Sequence, residues 1–183
     1  MNDKEKLINL LKQIRLNKIY QDVSLININY DFNLIKEGIL FDNENSCYYN
    51  YKTLDEMITS LSIASQTYGI YYDDEFIGMI SYFHHYYKDP SRYEISISIK
   101  EEYRNSSIGY CVASEVIRRM FLFDDIKSIH LYIREDNTRS NALALKLGFK
   151  EYPGYKCDNY FTDKDNNKIK NKQYLLKKML IKQ

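Results

Sequence analysis

The chain has 183 residues, enough for one hydrophobic core without disulfide or metal staples and too few for two comfortable domains. Its 26 Lys and Arg stand against 25 Asp and Glu, a net charge of +1 that argues against nucleic acid as the main partner, since phosphate binding usually needs a clustered basic excess. The three cysteines (Cys47, Cys111, Cys157) are far apart and lack CxxC spacing, so they read as reduced thiols. The opening MNDKEK is not a signal peptide, and no run approaches the roughly 18 apolar residues of a membrane span. A cytoplasmic protein without a membrane segment is expected.

The first predicted element is an amphipathic helix over about 3–20, with Leu7, Leu10, Leu11 and Ile14 at helical spacing. Residues 23–30 are strand-like, and a short helix around 32–40 precedes an Asn/Tyr-rich loop carrying Tyr48, Tyr49 and Tyr51. Thr53-Leu54-Asp55-Glu56 has the form of a capping box and predicts a helix to about Ser65. A hairpin follows, with strands at 68–72 and 76–86 flanking the polar turn Asp73-Asp74-Glu75. After the break at Pro90-Ser91, residues 93–99 alternate strictly, Ile95, Ile97 and Ile99 on one face and Glu94, Ser96 and Ser98 on the other. From Ile108 to about Phe123 the period becomes helical, and Ile129, Leu131 and Ile133 then mark another strand.

Asn137 is placed to cap a helix that ends at Gly148. Strands are expected at 149–155 and 173–180, with a polar loop over 158–171 between them. The order of elements implies an α/β or α+β sandwich around one sheet.

The chemistry concentrates between Glu94 and Phe149. The stretch Tyr103-Arg104-Asn105-Ser106-Ser107-Ile108-Gly109 is a loop of small residues feeding a long helix. A helix start exposes unpaired N–H groups and the positive end of the macrodipole, a combination suited to phosphate. Arg104, Ser106 and Ser107 add side-chain donors. Downstream come Asp136-Asn137-Thr138-Arg139-Ser140 and then Leu147-Gly148-Phe149.

Strand, Arg-x-x-x-x-Gly, helix, strand, Asn-x-x-Ser, helix and Leu-Gly-Phe, in that order, resemble the GNAT superfamily of N-acyltransferases, nearest in pattern to the Rim-type branch. The resemblance covers about residues 68–180. It implies a mixed, mostly antiparallel sheet of six to seven strands flanked by helices on both faces, in a single domain over 1–183. It implies acetyl-CoA as cosubstrate and a primary amine of a small molecule or protein N-terminus as acceptor.

The cofactor residues it implies are Ile97 and Ile99 for the pantetheine arm and Arg104, Asn105, Ser106, Ser107, Ile108 and Gly109 for the diphosphate. Asn137 and Ser140 are implied beside the pantetheine. Glu94, ten residues before Arg104, is the candidate base.

Three departures stand out. Asn105 and Ser107 occupy positions where the family usually has glycine, and Ala144 stands where many members carry the tyrosine that protonates the leaving thiolate. No general acid carries over; Tyr132, Tyr152 and Tyr155 lie nearby in sequence. The alternative reading is a non-catalytic GNAT-fold module that binds acyl-CoA. No metal is assigned, since no HExxH or Cys/His cluster exists and the adjacent His84 and His85 point to opposite faces of a strand. The same pattern suggests that His84, His85, Tyr86 and Tyr87 line an acceptor groove. Arg118 and Arg119 are expected to pair with Glu115. No nucleic-acid partner is expected, and a homodimer is compatible with the sequence.

Overall fold

A computed structural model describes residues 22–41, 53–63, 65–84, 91–152, 161–162 and 167–178. The predicted helix over 3–20, Cys47, Cys157, His85, Tyr86, Tyr87, Tyr155 and the tyrosines at 48, 49 and 51 lie outside these residues.

The strands are β1 (Val23–Asn27), β2 (Ser65–Tyr72), β3 (Glu75–His84), β4 (Arg92–Ile99), β5 (Ser128–Arg134), β6 (Lys150–Glu151), β7 (Phe161–Thr162), β8 (Lys168–Ile169) and β9 (Asn171–Lys177). The helices are α1 (Phe32–Leu40), α2 (Leu54–Ile63), α3 (Ile108–Met120) and α4 (Thr138–Lys146). Seven strands form one sheet in the order β1-β2-β3-β4-β5-β9-β6. Within it β4 and β5 run parallel, and every other neighbouring pair is antiparallel. Where the sequence predicts a polar loop over 158–171, β7 and β8 make a separate small pair.

The sheet buries both faces. On one, Ile70, Ile77, Ile80, Ile95 and Ile129 pack under the apolar stripe of α3, whose Val112, Val116 and Met120 are almost fully enclosed. On the other, Phe76 and Met79 pack with Ile35 and Ile39 of α1 and Ile58 and Leu61 of α2. Phe76 and Ile77 serve opposite cores, and the register with β2 skips Ile77: Ile70 pairs with Gly78 and Tyr71 with Phe76. That β-bulge sends Ile77 and Gly78 toward the same face. Gly78 then lies so close to β4 that a Cβ there would stand 2.3 Å from the Ser98 carbonyl oxygen. A side chain at 78 would push away the end of β4, which borders the site described below.

The strand expected over 23–30 stops at Asn27 because Asn29 is drawn inward. Its Nδ2 donates to the carbonyls of Ser62 (3.2 Å) and Ser65 (2.7 Å), and its Oδ1 accepts from Thr67 N–H at 3.0 Å. The Ser62 hydroxyl donates back to the Asn29 carbonyl. Asn29 thus fastens the end of β1 to the α2–β2 turn, a buried polar junction that needs every partner. The same junction ends α2 at Ile63 and starts β2 at Ser65, earlier than the aromatic run suggests.

The capping box is formed in part, since Thr53 Oγ1 accepts from Glu56 N–H at 3.1 Å. At the far end, α4 closes in a Schellman arrangement. Gly148 N–H donates to Leu145 and Phe149 N–H to Ala144, with Gly148 at φ +88°. Phe149 and Ala144 are both buried beside this turn. On the surface of α3, Glu115 accepts from Arg118 and Arg119 at 2.7–2.8 Å. Arg118 foremost, and Arg119 with it, hold the Glu115 carboxyl down at about 2.

Replacing Asn29 by Ala strands two buried carbonyls and an N–H, and should cost about 2–3 kcal/mol in urea unfolding. Glu115→Gln tests the ion pair. The folded-state value lies below the ordinary 4.5, so the stabilisation is complete above that pH and is lost as pH falls toward about 2. The variant should be less stable than the parent by about 0.5–1 kcal/mol at neutral pH, and the difference should shrink as pH falls below 4.5 and vanish only below about 2.

Candidate cofactor and active site

Strands β4 and β5 pair over only three positions, Arg92 with Ser128, Tyr93 with Ile129 and Glu94 with His130. Beyond that β4 continues to Ile99 and β5 to Arg134 without pairing to each other. Each keeps its other neighbour, β4 with β3 through Ile99 and β5 with β9 through Arg134. The sheet therefore opens in a V whose sides carry backbone groups free of ladder partners, an arrangement that a polar or extended ligand satisfies.

A cavity of about 380 Å³ lies at this opening. Ile97, Ser98 and Ile99 of β4 form one wall, and Tyr103, Arg104, Asn105 and Ser107 of the following loop border it. Gly109 and Tyr110 come from the first turn of α3, and Asn137, Arg139, Ser140, Leu143 and Lys146 from one side of α4. Among the described residues the lining holds three cationic side chains and no carboxylate.

The loop entering α3 is built to present backbone. Asn105 and Ser107 have φ of +61° and +67°, the left-handed region that favours glycine. Asn and Ser thus adopt here a backbone that glycine takes at no steric cost. Ser107 caps α3 without a side-chain hydrogen bond, so no hydroxyl from that position covers the N–H groups of the first turn. Gly109 has helical backbone; a Cβ there would approach Ile99 Cδ1 to 3.1 Å, so glycine keeps the space open.

Arg104 does something the sequence did not suggest. Its Nε donates to the Ile99 carbonyl at 2.9 Å and its guanidinium also donates to the Phe41 carbonyl. Ser98 Oγ donates to the Gly38 carbonyl at 2.6 Å, so two residues of the cofactor segment grip the end of α1. Glu75 completes the brace, accepting from Lys100 at 2.8 Å and Tyr103 at 2.7 Å. Lys100 foremost, and then Tyr103, lower the Glu75 carboxyl, and the same contacts raise both partners.

On the opposite wall Asn137 caps α4, its Oδ1 accepting from Ser140 N–H at 3.0 Å. Asn141 sets the turn that presents Asn137. Its Nδ2 donates to the carbonyls of Arg134 (3.0 Å) and Asn137 (2.7 Å), and its Oδ1 accepts from buried Tyr174 at 2.7 Å. Neither Asn141 nor Tyr174 carries a sequence signal, because Tyr174 reaches the turn from β9.

Of the residues singled out from sequence, Ile97, Ile99, Arg104, Asn105, Ser107, Gly109, Asn137 and Ser140 border the cavity. Two do not line it. Ile108 points its side chain into the core at 3% exposure, leaving its N–H as its only contribution to the helix start, and Ser106 donates its hydroxyl to the Tyr103 carbonyl within the loop.

Glu94 also stands apart from the cavity. Ile95 belongs to the core under α3, whereas Ser98 reaches α1, so Glu94 lies on the α1/α2 face of the sheet. It occupies the last paired position, at the point of the V, in register with His130. His130 is 8% exposed with Nε2 3.1 Å from Ser128 Oγ, and Arg92 on the same face donates to Tyr132 Oη. Ala144 is buried at 1% and offers no acidic proton, Tyr132 is engaged by Arg92, and Tyr152 lies beyond the start of β6. His84 meets Tyr93 in a tilted ring contact, their centroids 4.8 Å apart. Cys111 is a free thiol whose pKa burial raises. Among the described residues no cluster of metal-ligating side chains occurs, and no helix is long and apolar enough to cross a membrane.

No curated protein matches the sequence. Solved structures match it in fold. The RimL ribosomal alpha-N-protein acetyltransferase, in complex with coenzyme A, covers 90% of this chain and 97% of its own at 14% identity and a TM-score of 0.66. The ribosomal-protein-S5-alanine acetyltransferase of Vibrio fischeri gives 91% and 96% at 12% identity and 0.68. The microcin C7 self-immunity acetyltransferase MccE, in complex with acetyl-CoA and AMP, gives 92% and 99% at 14% identity and 0.67. The model of the acetyltransferase (GNAT) family matches residues 37–149, from within α1 through the Phe149 that follows α4. With more than half of the chain matched and the parted β4 and β5 in place, this protein belongs to the GNAT acetyltransferase family.

Proposed function

We propose that the protein transfers an acetyl group from acetyl-CoA to a primary amine, on a small molecule or a protein N-terminus, by direct attack within a ternary complex. The observation that carries this reading is the cavity at the opened β4–β5 edge, bounded by the start of α3, where Ser107 makes no side-chain capping bond, and lined by Arg104, Arg139 and Lys146. A diphosphate fits the N–H groups around Ser107–Gly109, where helix dipole and exposed donors coincide. The edge of β4 at Ile97–Ile99 is suited to the amides of the pantetheine arm, as one strand pairs with another. Asn137 has committed its Oδ1 to capping, so its Nδ2 is the group that can meet a pantetheine carbonyl, with Ser140 beside it. Arg104 acts in this reading as a brace that holds the loop to α1.

The donor cavity is walled by α3 and α4, whereas Glu94 faces α1 and α2. The thioester carbonyl therefore belongs at the point of the V, and the amine reaches it from the Glu94 side. The amine nitrogen bonds to the carbonyl carbon, the carbon–sulfur bond breaks, Glu94 accepts the amine proton, and coenzyme A leaves as thiolate. Much of the acceleration comes from holding amine and thioester together, since the thioester is already activated. Similarity in fold over 91% of this chain to solved acetyltransferase structures supports reading residues 1–183 as one such domain. The free Cys111 and an acetyl-CoA donor suit a cytoplasmic location.

Gly109→Trp tests the site. The helical backbone accepts a side chain there, so the melting temperature should stay within a few degrees of the parent, while the ring fills the cavity and abolishes acetyl-CoA binding in calorimetry. Undiminished binding would remove the cavity from the reading. Glu94→Gln tests the chemistry by thiol release against an amine panel. Turnover should fall about 100-fold with acetyl-CoA affinity unchanged; a parent protein that binds acetyl-CoA and acetylates no amine would instead be a binding module.

A further inference from the structure

We infer that Lys146, held against Tyr110, recognises the 3′-phosphate of the coenzyme and makes the site selective for the phosphorylated nucleotide. The inference rests on the donor reading above and concerns an end of the cavity to which the diphosphate and pantetheine contacts do not extend. Lys146 stands at the last residue of α4 and Tyr110 in the first turn of α3. Its ammonium lies 4.6 Å from the Tyr110 ring centroid, and both side chains border the cavity. A cation–π contact of this kind restrains a flexible lysine without neutralising it. The charge remains available and close to the helix start, where it also acts to lower the Cys111 thiol against the rise that burial causes.

The other cations of the cavity are placed differently. Arg104 is engaged by the carbonyls of Ile99 and Phe41. Arg139 sits at the opposite end of α4, seven residues or about two helical turns from Lys146 and beside the Asn137 cap. Arg139 is therefore on the pantetheine side and Lys146 on the nucleotide side. Diphosphate and 3′-phosphate hang from one ribose, so a diphosphate on the α3 N-terminus brings the second phosphate within a few ångströms of the same turn. The ammonium beside Tyr110 is the cation positioned to meet it, and among the described residues no lining carboxylate opposes its attraction.

Calorimetry on the whole chain with coenzyme A and with 3′-dephospho-coenzyme A tests this. The parent should bind coenzyme A about tenfold more tightly, the worth of one charge-assisted hydrogen bond at a partly exposed site. Lys146→Met, at an exposed position, should erase that ratio by weakening coenzyme A alone, and Arg139→Met should preserve it. Equal affinity of the parent for both compounds, or a ratio that survives in Lys146→Met, overturns the inference and leaves the donor reading standing. A parent that binds neither compound overturns both.

Discussion

The site depends on the separation of two parallel strands that begin as neighbours. Parallel ladders place evenly spaced hydrogen bonds along the whole shared length, and ending one after three residues leaves polar backbone exposed on both sides. The opening is stable because each strand is secured elsewhere. β4 is fully paired to β3 and pressed against it where Gly78 admits the Ser98 carbonyl, and β5 is fully paired to β9. The two sides are then fixed by different polar anchors, Arg104 and Ser98 to the end of α1, Asn141 and Tyr174 at the head of α4. Rigid walls on both sides let the exposed strand edge serve as a binding surface without the sheet closing over it.

The loop between β4 and α3 spends conformational energy to reach the same end. A non-glycine residue in left-handed backbone costs about 1–2 kcal/mol, and two of them, Asn105 and Ser107, occur within three positions. Such strain persists only where its surroundings determine it. Here the Ser106 hydroxyl ties the turn to Tyr103, and Glu75 holds Tyr103 and Lys100 from the β2–β3 hairpin. That bracing shows why two glycines can be replaced without losing the shape. It also explains why Arg104, the most conspicuous donor in the motif, points its side chain at carbonyls of this chain.

Much of this was legible in the sequence. The strict alternation of 93–99, the helical period from Ile108 and the Leu147-Gly148-Phe149 ending all have one physical meaning each, and the last proves to be a Schellman turn with Phe149 folded back beside Ala144. Eight of the ten residues that the family resemblance singles out for the cofactor border the cavity for the same reason: they lie on contiguous segments whose period fixes their direction. What was not legible depends on tertiary pairing. The early stop of β1 at Asn27 follows from Asn29 meeting Ser62, Ser65 and Thr67, which are more than thirty positions away. Asn141, Tyr174, Lys146 and Tyr110 likewise acquire meaning only when β9 meets α4 and α4 meets α3. Periodicity states which face a residue occupies; it does not state which other face it meets.

The division of the sheet into two faces also constrains the chemistry. The cavity opens on the α3/α4 side, while Arg92, Glu94, His130 and Tyr132 share the α1/α2 side. The parted strands connect the two where the pairing ends, at Glu94 and His130. In the proposed reaction a proton taken from the amine would leave on the side away from coenzyme A, toward the Glu94 carboxylate and the buried His130 imidazole that is held by Ser128. With alanine at position 144, no side chain there can return a proton to the sulfur. On the proposed reading this asymmetry would give the protein's own acid–base groups to the nucleophile and leave the thiolate, the weaker base of the two reacting partners, to depart without one.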